Sequence, residues 1–137
     1  MEALFRKILC PVDFDRVSIP ALELARKLAA VSGATVLLAY AVPRPEAAED
    51  LETVARENLR GIARKWLEGK VAYEIKVVTG DPAAAIVNAV SELGADVIVM
   101  ATHGRVGSAH ERLGSVAEKV VQSAPCPVIT VKPGPPG

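Results

Sequence analysis

Five short strand-like runs alternate with four helix-like segments along this chain, and that alternation constrains the fold more than any other feature. Ile8 to Val12 is an apolar run ending at Asp13, and Thr35 to Val42 is apolar on both faces. Val97 to Ala101 and Val128 to Val131 repeat the pattern. Strands buried on both faces read in this way, and they belong to parallel sheets. Tyr73, Ile75 and Val77 alternate with Glu74 and Lys76, so this third strand has a polar face and suits a place near a sheet edge. Strands separated by helices predict one open parallel sheet with right-handed crossovers and helices on both faces.

The helical segments carry their own punctuation. Ser18 can cap a first helix that tolerates Pro20 in its first turn, with Ala21, Leu24, Ala25 and Leu28 at helical spacing and Gly33 as the stop. Pro43 and Pro45 precede the longest helix, whose apolar stripe is Leu51, Val54, Ala55, Leu59, Ile62 and Trp66. Asp81 and Pro82 form an N-cap and first helical position, and Gly94 closes that helix behind Ile86, Ala89, Val90 and Leu93. Ser115 and Glu118 have capping-box spacing, which starts a last helix with Val116, Val120 and Val121 inward and Pro125 at its end. Residues 1–132 make one domain, and the Pro- and Gly-rich 133–137 read as a flexible tail.

Composition narrows the functions available. The 137 residues suffice for one buried core, and 16 basic residues balance 16 acidic ones. No broad basic field is present, so nucleic acid is not the expected partner. No apolar run is long enough to span a bilayer and the N-terminus does not read as a signal peptide, which makes the cytoplasm the expected location. Cys10 and Cys126 form neither a disulfide framework nor a zinc site and read as buried thiols. His103 and His110 have no spacing suited to a metal pair and read as loop residues.

Ligands of open α/β sheets bind beyond the carboxyl ends of the strands, where strand order reverses. After the fourth strand the chain reads Ala101-Thr102-His103-Gly104-Arg105-Val106-Gly107, and Leu113-Gly114-Ser115 then opens the last helix. Two nearby glycines allow backbone N–H groups to approach an anion, and a helix N-terminus adds unpaired donors and a positive dipole end. The plainer alternative is that Gly104 and Gly107 make turns and Ser115 caps its helix. The segment is neither a Walker A loop nor a dinucleotide fingerprint.

An ordered set of segments resembles the universal stress protein family over nearly the whole chain. It runs from Ile8-Leu9-Cys10-Pro11-Val12-Asp13 through Gly80-Asp81-Pro82 and Ala95-Asp96-Val97-Ile98-Val99-Met100. It closes with Gly104-Arg105, Leu113-Gly114-Ser115-Val116-Ala117 and Ala124-Pro125-Cys126-Pro127-Val128. The nucleotide-binding branch carries a glycine, two residues, a glycine, nine residues, then Gly-Ser or Gly-Thr. Gly104 and Gly114-Ser115 match this pattern at the same spacing, whereas its first glycine falls on Ala101.

The resemblance implies strand order 3-2-1-4-5 and an ATP-binding regulatory or stress-response protein, with Mg²⁺ accompanying the triphosphate. It places Pro11 and Val12 on the adenine, Asp13 at the ribose or a metal-linked group, and backbone groups of Ala41 at the adenine edge. Met100, Ala101, Thr102, His103, Gly104, Arg105, Val106 and Gly107 would wrap ribose and phosphates. Gly114, Ser115, Val116 and Ala117 would hold the phosphate end. Core filling by Met100 and loop capping by Asp13 stand beside those roles. The resemblance also implies a homodimer through Val128 to Val131. Two alternatives come from other classes: a dimeric interaction module without nucleotide, which Ala101 favours, and a slow ATP hydrolase. No catalytic set accompanies Asp13 and Asp15 and no Walker lysine occurs, so at most weak hydrolysis is expected.

Overall fold

The apolar runs become strands because each is short, rich in β-branched residues or leucine, and bounded by turn formers. The computed structural model describes residues 4–13, 19–42, 48–102 and 114–132. Their order is β1 (Lys7–Pro11), α1 (Ile19–Ser32), β2 (Thr35–Val42), α2 (Ala48–Trp66), β3 (Ala72–Thr79), α3 (Pro82–Leu93), β4 (Val97–Ala101), α4 (Ser115–Ser123) and β5 (Val128–Val131). The strands form one parallel sheet in the order β3-β2-β1-β4-β5, as expected, with the half-polar β3 at one edge and β5 at the other.

Period-2 geometry sorts even the continuous apolar strands into two faces. Ile8, Cys10, Val36, Leu38, Val97 and Val99 join α1 and α2 in one core. Leu9, Leu37, Ala39, Ile98 and Met100 join α3 and α4 in the other. Ala21, Ala25 and Ala29 let α1 lie close to the sheet, while Leu22 fills the space beside them.

The caps on α3 form as the sequence predicts. The Asp81 carboxylate accepts from the Ala84 N–H at 3.2 Å, and Gly94 takes φ +72° at the C-terminal end, a conformation costly for residues with a Cβ. Gly33 has φ +71° just beyond α1. Ser18 lies outside the described residues, as do the tail from 133 onward and both histidines.

Three expectations for helix faces need correction. In α2, Leu51 and Val54 are exposed, and the buried stripe is Ala55, Leu59, Ala63 and Leu67, which extends just past the helix. Steps of four residues match the side that rests on β2 and β3, and that contact leaves the first turn uncovered. In α4, Val121 is exposed while Ala117 and Val120 are buried. Last, Ser115 does not cap α4. The N-cap is Gly114, with extended backbone and no side-chain hydrogen bond. Ser115 is therefore the first helical residue, because the Glu118 N–H donates to the Gly114 carbonyl and starts the ladder one residue earlier.

Asp96 ties the start of the sheet together, a role that sequence patterning did not show. Its carboxylate accepts the N–H of Arg6 at 2.8 Å and that of Lys7 at 3.4 Å. The Lys7 ammonium in turn donates to the Leu93 carbonyl at the end of α3. No described helix is long and apolar enough to cross a membrane.

Candidate functional site

Strand order reverses between β1 and β4, because β2 lies on one side of β1 and β4 on the other. The two strands pair only at Ile8–Val97 and Leu9–Ile98. Both run on without pairing, β1 to Pro11 and β4 to Ala101. Pro11 has no N–H to continue that ladder, and the carboxyl end of this pair of strands is where ligands of this architecture bind.

The other flank of β1 also ends in open backbone. Its ladder with β2 reaches Pro11–Ala39, and the Val12 N–H still donates to the Ala39 carbonyl at 2.9 Å. The next rung would join the Ala41 N–H to the Val12 carbonyl, and it does not form. In a strand, the N–H and C=O of one residue point to the same side. Ala41 thus turns a donor and an acceptor toward the space beyond β1, with no backbone partner there among the described residues. A planar heterocycle with adjacent donor and acceptor atoms matches that pair.

The third component is the start of α4. The Gly114 N–H donates to the Thr102 carbonyl at 2.6 Å, and the Thr102 N–H donates to the Val131 carbonyl at 2.9 Å. Thr102 is itself buried. One residue thus fastens the helix start to the ends of β4 and β5. The first intrahelical bond belongs to Glu118, so the N–H groups of Ser115, Val116 and Ala117 precede the ladder. Glycine at the cap brings no side-chain oxygen to them. Three donors and a positive dipole end favour an anion.

Each expected site residue can now be placed. Pro11, Val12 and Asp13 lie half-buried at the end of β1, and Ala41 and Ala101 lie half-buried at the ends of β2 and β4. Ser115 is exposed at the mouth of α4. Met100 is buried against the α3 side of the core, so of its two readings the structure favours filling. The Ala117 side chain is also core, which leaves its N–H as the group able to reach a ligand. His103, Gly104, Arg105, Val106 and Gly107 lie outside the described residues.

Sequence reasoning missed Thr102 as the fastener of this end. A polar residue directly after an apolar strand was the available signal. Among the described residues, no group of three or more His, Cys, Asp or Glu side chains could hold a metal ion. Cys10 is buried and inert, its thiol pushed up to about 12 by desolvation, whereas Cys126 is only partly covered.

The chain is a doubly wound parallel sheet of order 3-2-1-4-5, with strand order reversing between β1 and β4 and the start of α4, which has no side-chain cap, at the same end. The family model described as "Universal stress protein family" matches residues 4–132, and the chain belongs to that family. Universal stress protein MJ0531 of Methanocaldococcus jannaschii is 34% identical over 143 residues, covering 96% of this chain and 84% of the relative. The solved structure of protein MJ0577 superposes with a TM-score of 0.82 at 25% identity, covering 97% of this chain and 99% of that one. A universal stress protein crystallised in complex with cAMP gives a TM-score of 0.73 at 27% identity, covering 97% and 100%.

Proposed function

We propose that this chain binds an adenine nucleotide, with ATP as the principal ligand, and acts through that bound state in a regulatory or stress-response role. The observation that carries the reading is the reversal of strand order between β1 and β4, bordered by the open rung at Ala41 and the start of α4 without a side-chain cap. The base fits the donor and acceptor of Ala41, with Pro11 and Val12 as apolar walls. The phosphates fit the N–H groups of Ser115 to Ala117. A structural relative held with cAMP supports the adenine half of this assignment.

Replacement of the first motif glycine by Ala101 is compatible with the reading. Among the described residues, no non-glycine residue has positive φ, so the strand end at Ala101 demands no glycine. Mg²⁺ would be carried mainly by the triphosphate oxygens, since the described residues hold no metal cluster of their own. Asp13 supplies a carboxylate at that mouth. We further propose a homodimer through β5, a four-residue edge strand whose residues are all half-exposed in one chain.

Mass spectrometry of the small molecules released by denaturing freshly purified protein tests the reading. An adenine nucleotide in near-equimolar amount supports it. A different phosphate ester would move the assignment to that ligand.

A further inference from the structure

β5 lies at one edge of the sheet and pairs with β4 alone. Backbone donors of the β4 segment hold it at both ends. The Ile98 N–H donates to the Pro127 carbonyl at 3.0 Å, and the Thr102 N–H donates to the Val131 carbonyl at 2.9 Å. The Thr102 carbonyl in turn accepts from the N–H of Gly114, the cap of α4, at 2.6 Å. Thr102 therefore holds the end of β5 with one backbone group and the start of α4 with the other.

The opposite ends of α4 and β5 are joined as well. Residues 124–127 link them, and Pro125 and Pro127 stiffen that link. At its two ends the Ala124 N–H bonds to the Val120 carbonyl at 2.8 Å, and the Pro127 carbonyl is already in the β4 ladder. The link has little slack. Between the two ends, Val128 packs on the cluster that buries Ala117 and Val120. α4 and β5 are thus fastened to each other by Thr102, by the proline link and by a shared core. Segments fastened in this way come loose together, as one cooperative unit.

We propose that α4 and β5 open and close as one unit clamped by the Thr102 backbone, and that a nucleotide held at the start of α4 sets how firmly the edge strand β5 holds to the sheet. The ligand half of this inference rests on the nucleotide reading above, whereas the clamp half stands on the hydrogen bonds alone. The N–H groups of Ser115, Val116 and Ala117 converge on an anion only while α4 is in place, so the ligand binds the closed unit and not the open one. A ligand with that preference draws the equilibrium toward the closed unit by mass action. The effect is reciprocal: a second copy of this chain that pairs with the outer side of β5 also favours the closed unit, and so tightens the ligand. Nucleotide occupancy is in this way transmitted to the sheet edge.

Residue-resolved hydrogen exchange tests both halves. The amides of Ile129 and Val131 face β4, as the Pro127 and Val131 carbonyls do. In wild-type protein their exchange should slow as ATP is added, by up to about a hundredfold at a hundred times Kd, although neither residue belongs to the proposed site. Sedimentation should show tighter self-association at saturating ATP. Gly114→Pro removes the donor to Thr102 at a φ of −61°, which proline accepts. Without ligand it should speed exchange at Ile129 and Val131 by roughly three- to tenfold. Gly114→Ala keeps the N–H and should leave those rates as in wild type. Rates that do not change in Gly114→Pro, or that change equally in Gly114→Ala, overturn the clamp half. β5 amides or self-association indifferent to bound ATP overturn the ligand half. Wild-type protein that binds no ATP at all removes the nucleotide reading and the ligand half with it, while the two variants still decide the clamp. If Gly114→Pro fails to fold, Thr102→Pro removes the other bond of the clamp and is read by the same criteria.

Discussion

Replacing Ser115 by alanine separates two jobs that one serine at a helix start can do. If Ser115 were the N-cap, losing its hydroxyl would cost about 1 kcal/mol of stability. Gly114 is the cap, and Ser115 is an exposed first helical residue whose side chain caps nothing. Exposed substitutions away from special features change stability by about 0.5 kcal/mol at most, and alanine favours helix. Urea unfolding of Ser115→Ala should therefore match wild type within that margin. Affinity should behave differently. One hydrogen bond to a phosphate oxygen contributes roughly 1.5–3 kcal/mol, so calorimetry should show ATP bound about 10- to 150-fold more weakly. A stability loss of about 1 kcal/mol would refute the cap assignment. Unchanged affinity would refute the phosphate contact.

Three further outcomes are expected. Thr130 lies at an even position of β5, opposite in parity to Pro127 and Val131, whose carbonyls are bonded to β4, so its N–H faces the open edge. Thr130→Pro should then yield monomers in sedimentation without unfolding the chain, and a wild type already monomeric at micromolar concentration would contradict the dimer. Ile129→Lys is the poorer test, because Ile129 packs on the core. Asp96→Ala should cost roughly 1 kcal/mol in urea unfolding, since the carboxylate bonds two amides in a partly exposed place; unchanged stability would remove its tethering role. Burial raises the Cys10 thiol from 9.0 to about 12, so the folded state holds a proton that the unfolded chain releases sooner. That contribution is complete below about pH 9 and is lost as pH rises toward 12, with a slope of at most about 1.4 kcal/mol per pH unit. Alkaline unfolding of Cys10→Ala should lack that part of the slope, and identical profiles would contradict it.

The sheet was legible because its signals are local. Strand-length apolar runs, Asp81-Pro82, Gly33 and Gly94 each act within a few residues, and each does in the structure what its chemistry predicts. Burial of Leu51, Val54 and Val121 was misread because helical periodicity shows which face is apolar, not how far the sheet beneath extends. The cap at α4 was misread for a related reason. A serine followed three residues later by a glutamate fits a capping box, but the Thr102–Gly114 hydrogen bond moves the helix start back by one residue. At the site, Pro11 and Ala41 were expected as contact residues by family resemblance alone. Their backbone meaning needed strand parity, which exists only once β1 lies between β2 and β4.

Isothermal titration of the purified chain with ATP, with and without Mg²⁺, tests the central claim most directly, with AMP and the variant Ala101→Gly alongside. Saturable binding near one ATP per chain is expected, and weaker binding of AMP is the result expected of a site in which the start of α4 holds the distal phosphates. Ala101→Gly should be similar or slightly tighter. Folded wild-type protein that binds no ATP at millimolar concentration, with binding restored by Ala101→Gly, would contradict the account and make this chain a nucleotide-free member of its family.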